Sequence, residues 1–190
     1  NGIGDYLEFD LLPKLKGLYA REELKQTDVP YKPAEYNGVF LSHAHADHVG
    51  YVHLLDESIP VHCGETSKMI LSAMSESGSV DINPDSLKGF RTGTKIKVDN
   101  IEVEPIHVDH SVPGAYGFII HTTEGTIIYT GDLRLHGPVG YMTDEFIKKA
   151  MEQHPTIMLC EGTRLGQKES PKLHSEMEVR ETANKVVSHT

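Results

Sequence analysis

Gly38-Val39-Phe40-Leu41-Ser42-His43-Ala44-His45-Ala46-Asp47-His48 is the stretch on which the reading of this chain turns. A short apolar run followed directly by a polar cluster predicts a buried strand that delivers side chains at its exit. Imidazole and carboxylate are the ligand types of a hydrolytic zinc site. Two residues apart on an extended segment, His43 and His45 are expected to point the same way. Asp47 and His48 fall past the turn and are placed to face a second ion. One hexapeptide thus begins two metal sites, which suits hydrolysis better than structural support.

The bulk of the chain agrees with a catalytic protein that has an ordinary core. Its 190 residues and 21.1 kDa suffice for one full core, or for one domain and part of another, and 38% hydrophobic with 24% charged residues is usual for a globular protein. The twelve histidines are many for this length, and metal chemistry accounts for several of them. The formal net charge of -10 argues against a chain that coats nucleic acid, yet allows an enzyme whose metals meet the phosphate. Two cysteines, Cys63 and Cys160, make no disulfide framework, and both end apolar stretches where a buried small hydrophobe is expected. No apolar run approaches a membrane span and no signal-peptide pattern is present. A cytoplasmic setting fits these features, as does a homo-oligomer. The start at Asn1 and the end at Thr190 suggest a piece of something longer.

Outward from the hexapeptide, the pattern predicts alternating strands and helices. Residues 5–27 carry helix-like spacing, with Leu11, Leu12, Leu15 and Leu18 on one face, although Pro13 disturbs the start. Residues 38–42 predict a strand, and Asp47 to Asp56 a short helix with Val49, Val52 and Leu55 on one side. A strand over 59–63 leads to a helix from Glu65 to Ser77, with Met69, Ile70, Ala73 and Met74 inward and Gly78 as its stop. Residues 90–131 read as β structure, with alternation at 95–98 and 101–104 and a hairpin turning at Thr123-Glu124-Gly125. Helix 143–153, a further buried strand at 156–160 and a charged helix at 173–188 complete an α/β sandwich.

A two-metal site needs more ligands than the hexapeptide supplies. His110 follows the strand at 101–106, and Asp132 follows Ile127-Ile128-Tyr129-Thr130-Gly131. Each lies just past a strand, where loops gather functional side chains at one edge of a sheet. The two oxygens of Asp132 suit it to bridging a pair of ions.

In that order, His43-Ala44-His45-Ala46-Asp47-His48, His110 and Thr130-Gly131-Asp132 resemble the metallo-β-lactamase superfamily. The likeness covers nearly the whole chain and implies an αββα sandwich with metals at one edge of paired sheets. A finer match is available. His110-Ser111-Val112-Pro113-Gly114-Ala115-Tyr116-Gly117 and Tyr129-Thr130-Gly131-Asp132-Leu133-Arg134 are similar to the ribonuclease J and β-CASP branch, which cleaves RNA or DNA. The resemblance implies two zinc ions. His43, His45 and His110 would hold one, and Asp47, His48 and Asp132 the other, with Asp132 bridging. It implies a hydroxide between the ions as nucleophile, with Asp47 and Asp132 as the catalytic carboxylates. It gives Glu161, in Leu159-Cys160-Glu161-Gly162-Thr163-Arg164, a supporting place behind the ligands. RNA or another nucleic acid would be the substrate.

Residues 1–190 are therefore expected to form one metallo-β-lactamase-like domain, incomplete at both ends. Nothing before residue 38 matches the family's opening strands, and the β-CASP insertion with its later histidine motifs is expected beyond residue 190. The segment alone is expected to be a poor nuclease with a weak second metal site. Two other functions suit the same fold: hydrolysis of a thioester or lactone, and a scaffold role without catalysis. His107 and Asp109, flanking His110, read as loop residues, with a supporting place behind the metal ligands as the alternative. Arg134 reads as a surface salt bridge with the capacity to meet a phosphate. His174, Glu176, Glu178 and Glu181 read as a solvated helix face. No nucleophile elbow, P-loop or dinucleotide fingerprint occurs.

Overall fold

The computed structural model describes residues 3–163 and 174–188. The chain divides into two compact units, Asn1–Phe90 and Arg91–Thr190.

The first unit is built on a parallel three-stranded sheet, β1 (Val39–Phe40), β2 (Val61–Gly64) and β3 (Leu87–Phe90), in that spatial order. Val61 pairs with Val39 on one side and Leu87 on the other. Parallel neighbours require a crossover. The short helix α2 (Ala46–Val49) and a 3₁₀ turn at Val52–Leu54 lie on the first, and α3 (Glu65–Glu76) forms the second. Leu71 of α3 is fully buried in a cluster with Leu41, Val49, Val61, Cys63 and Leu87, and Ile70 and Met74 pack against it. The inward face of α3 thus runs Ser67, Ile70, Leu71 and Met74, at the spacing of one helical face. Met69 and Ala73, expected inward, point to solvent, because they lie on the opposite side of that stripe. Gly78 ends the helix segment with φ +71°, a conformation that costs glycine nothing.

Two expectations fail in this unit. The predicted helix over 5–27 is cut to α1 (Gly4–Glu8), with a 3₁₀ turn at Glu23–Gln26. Asp10 adopts φ +54° and Gly17 φ +71°, and Pro13 cannot donate to a helical ladder. Its leucines divide accordingly: Leu11 is exposed, while Leu12 and Leu18 pack against a small cluster of Ile3, Leu7, Tyr19, Leu24 and Leu54. The predicted helix from Asp47 to Asp56 is likewise only α2 and the 3₁₀ turn. Val49, Val52 and Leu55 nonetheless meet in the main cluster, so the apolar face survives without a continuous helix.

The second unit is a five-stranded sheet in sequence order: β4 (Ile96–Val98), β5 (Ile101–His107), β6 (Tyr116–Thr122), β7 (Gly125–Tyr129) and β8 (Ile157–Leu159). The first four run antiparallel and β8 pairs parallel to β7. β6 and β7 turn through Thr123 and Glu124, where the sequence places the hairpin. α4 (Gly140–Glu152) buries Thr143, Phe146 and Ala150, and Phe146 joins Ile106, Val108, Ala115, Ile119 and Ile128 in the core. The Phe146 ring occupies the space a side chain at residue 117 would need, which glycine leaves open. Burying one such aromatic stabilises by about 1.5–3 kcal/mol.

β8 departs from the expected buried strand: Ile157, Met158 and Leu159 are all exposed, because β8 is the edge of its sheet. Cys160 is exposed for the same reason, against the expectation of burial. Cys63 is buried as expected, and that burial pushes its thiol up to about 11. The charged terminal helix is α5 (Glu176–Ser188), with none of its residues buried.

Candidate metal centre

In the first unit β1 ends at Phe40, so the ligand-bearing residues leave the strand before they begin. His43 and His45 therefore meet through the turn and not through strand alternation. His45 is the cap of α2, and its carbonyl accepts from the His48 and Val49 amides at 3.0 and 3.1 Å. His43 is fully buried, with Nε2 3.0 Å from His45 Nδ1. The His43 and His48 ring centroids are 4.1 Å apart. Ser42, buried beside them, places its hydroxyl 3.0 Å from His43 Nδ1 and 3.4 Å from His48 Nδ1. When His43 ligates through Nε2, its Nδ1–H donates to Ser42, and that hydroxyl fixes tautomer and ring angle. Asp47 stands in the first turn of α2, not in a loop, with its side chain 79% exposed and its carboxylate 3.6 Å from His48 Nε2.

In the second unit the candidate ligands come from loops at one end of the sheet. His110 follows β5, where the Val108 amide donates to the Ala115 carbonyl at 3.0 Å and closes the loop between. Asp132 follows β7. Gly131 takes φ +56°, which turns the chain sharply after the buried Thr130 and swings Asp132 out of the strand direction. His110 Nε2 and Asp132 Oδ2 lie 3.7 Å apart.

Glu161, past β8, holds this second loop from behind. Its Oε1 accepts from the Leu133 amide at 3.1 Å and its Oε2 from the Thr163 amide at 3.3 Å. Its own amide donates to Thr130 Oγ1 at 3.2 Å. Burial pushes the Glu161 carboxyl up. The hydrogen bonds from Leu133 and Thr163, with the nearby His110, outweigh burial and hold it below its usual range.

Four further residues, Asp109, Arg134, Glu176 and His107, have structural partners. Asp109 is buried, and Arg134 Nε donates to its Oδ1 at 3.1 Å, so the pair is not a surface salt bridge. Glu176, expected on a solvated face, pairs with the remaining Arg134 nitrogens. His107 ends β5, stacked on Tyr116 at 4.2 Å with its Nδ1 2.6 Å from the Thr92 hydroxyl. Ser42 and Thr143 have no signal of their own in the sequence, since a lone hydroxyl residue has no spacing to read.

Each of His43, His45, His110 and Asp132 offers an atom able to ligate an ion. Within each unit the distances suit metal ligation. Two ligand atoms held about 2.0–2.1 Å from a tetrahedral zinc lie ~3.3 Å apart, and the pairs here stand at 3.0 and 3.7 Å. Nitrogen and carboxylate donors without thiolate fit zinc or another borderline divalent ion.

A family model described as the beta-lactamase superfamily domain matches residues 9–188. Ribonuclease J of Sinorhizobium meliloti is 29% identical over 157 residues, covering 79% of this chain and 27% of that protein. Ribonuclease J 2 of Streptococcus pyogenes is 28% identical over 155 residues, covering 80% and 28%. A crystal structure of a protein of unknown function from Enterococcus faecalis aligns with a TM-score of 0.81 at 30% identity, over 96% of this chain and 46% of that one. The chain thus spans about a quarter of the curated relatives it matches.

Proposed function

The chain belongs to the beta-lactamase superfamily, and from that premise we propose that it serves a zinc-dependent hydrolase that cleaves the phosphodiester bonds of RNA. The observation that carries this reading is the donor set. Histidines gather within one turn in the first unit, and a histidine–aspartate pair stands at the sheet end of the second. The similarity to proteins named ribonuclease J supports RNA as the substrate.

In this reading His43, His45 and His110 hold one zinc. Asp47, His48 and Asp132 hold another, with Asp132 shared. Two bound ions would lower the pKa of a water to about 7 and grip the attacking and leaving oxygens of a phosphodiester. The chain's residues prepare that chemistry. Ser42 fixes the His43 ring, and Glu161 fixes the backbone beside Asp132. Asp47, exposed at the start of α2, can reach toward solvent without disturbing the core. With a formal charge of -10, the chain repels a polyanion except where cations are bound, which confines productive contact to the site. Among the described residues no helix is long and apolar enough to cross a membrane. We place the protein in the cytoplasm, with RNA.

The test is the zinc content of the intact protein together with cleavage of single-stranded RNA before and after chelation. Bound zinc and chelator-sensitive cleavage are expected. A protein that binds no divalent ion, or that turns over a thioester or lactone and leaves RNA intact, contradicts the reading.

A further inference from the structure

We propose that a closed ring of hydrogen bonds through Asp109, Arg134 and Thr143 sets the spacing of His110 and Asp132, which makes these three residues positioning residues for the metal site. This rests on the metal reading of the site.

Asp109 precedes His110, and Arg134 lies two residues past Asp132. The two ligand loops are tied to each other twice through these neighbours. The Arg134 amide donates to the Asp109 carbonyl at 2.8 Å, and Arg134 Nε donates to Asp109 Oδ1 at 3.1 Å. Thr143, on α4 and fully buried, closes the circuit. Its hydroxyl accepts from the Asp109 amide at 2.9 Å and donates to the Arg134 carbonyl at 2.9 Å. One hydroxyl thus uses both of its roles to bridge the backbones that carry the two ligands.

The ring has little slack. The Asp109 side chain is 1% exposed, and among the described residues its Oδ2 has no hydrogen-bond partner, so Arg134 is what holds the buried charge. Gly137 sits so close that any side chain there would run into Asp109 Oδ2 and the Arg134 guanidinium. Glu176 pairs with the outer edge of the guanidinium and limits its rotation. Arginine's planar fork serves both carboxylates at once, which a lysine ammonium does not reproduce. A buried charge pair and a buried hydroxyl at this place exceed what packing α4 on the sheet requires, since Phe146 and Ala150 already supply apolar contact. Their common feature is that they bracket His110 and Asp132.

The test uses the intact protein with cobalt(II) as the spectroscopic probe. The readouts are the visible cobalt band, metal affinity by competition with a chelator, and melting of the metal-free form. Thr143→Val keeps shape and loses both hydrogen bonds, and it should weaken metal binding about 10–100-fold and shift the cobalt band. Thr143→Ser should restore affinity and band together. Arg134→Lys should resemble Thr143→Val. If Thr143→Val and Arg134→Lys lower only the melting temperature and leave affinity and band unchanged, the ring is fold support alone and the proposal falls. If the unaltered protein binds no cobalt, the metal reading itself falls and takes this one with it.

Discussion

The two ligand regions are built in opposite ways. In the first unit the donors are neighbours in sequence, set on one turn between β1 and α2, and the Ser42 hydroxyl contacts two of their rings. In the second unit His110 and Asp132 sit on separate loops, and α4, the chain after β8 and the Asp109–Arg134 pair contribute to holding those loops. A local cluster needs little scaffold, because backbone geometry alone places its members. A pair assembled from distant segments needs buried polar bridges, and those bridges set its tolerance to change. Substitutions in the first region should therefore cost function and spare the fold, whereas substitutions behind the second should cost both.

The largest effect expected is on chemistry in the first region. Asp47→Ala removes a carboxylate that is 79% exposed and lies 3.6 Å from His48 Nε2, so little packing is lost. RNA cleavage by the intact protein should fall by about 10³-fold or more, since ligand loss forfeits several kcal/mol of charge stabilisation. The melting temperature of the metal-free protein should hold. Near-normal cleavage with zinc present would remove Asp47 from the site.

Next comes the fold in the second region. Arg134→Met leaves Asp109 buried without its counter-charge, a change that typically costs about 3–5 kcal/mol. Ser42→Ala in the first region should cost about 0.5–1.5 kcal/mol. Denaturant unfolding of both variants measures the contrast, and equal losses would erase it.

That contrast also explains how much could be read from the sequence. His43 to His48 announces itself because its spacing is local. His110 and Asp132 are legible once strands at 101–106 and 127–131 are recognised, since each sits within a few residues of a strand's end. The α/β organisation, the hairpin at 123–124 and helix α3 follow from alternation and helical periodicity. Asp109 offers itself as a supporting residue only because it adjoins His110, and Arg134 only as a salt bridge or phosphate contact, while Thr143 has no signal, because a hydrogen-bonded ring closed across three segments leaves no periodic trace. The helix at 5–27 fails where Asp10 and Gly17 take positive φ, which a count of apolar positions does not register. The exposure of Ile157 to Leu159 fails for a related reason: an apolar run shows that a segment suits burial, not what covers it.

The smallest effect expected is a pH dependence shared by both regions. Burial lowers His62 in the first unit, aided by Lys88, and burial lowers His107 in the second. Each binds its proton less readily folded than unfolded. Below the ordinary histidine value near 6.5 the unfolded chain gains protons that the folded chain refuses, so stability falls with pH there and levels off above it. Unfolding at pH 5.5 and 7.5 checks this for the metal-free protein. His107→Gln and His62→Gln should each flatten the slope, and a stability that rises on acidification would contradict the sign.

The proposed sharing of one zinc by His43 and His110 is tested most directly by zinc stoichiometry in a double-variant cycle. His43→Ala, His110→Ala and the pair together would be equilibrated with zinc and analysed for bound metal. The account predicts that each single change loses the same tightly bound equivalent and that the double variant loses no more than either. Additive losses, with His43→Ala and His110→Ala each releasing a different ion, would contradict it.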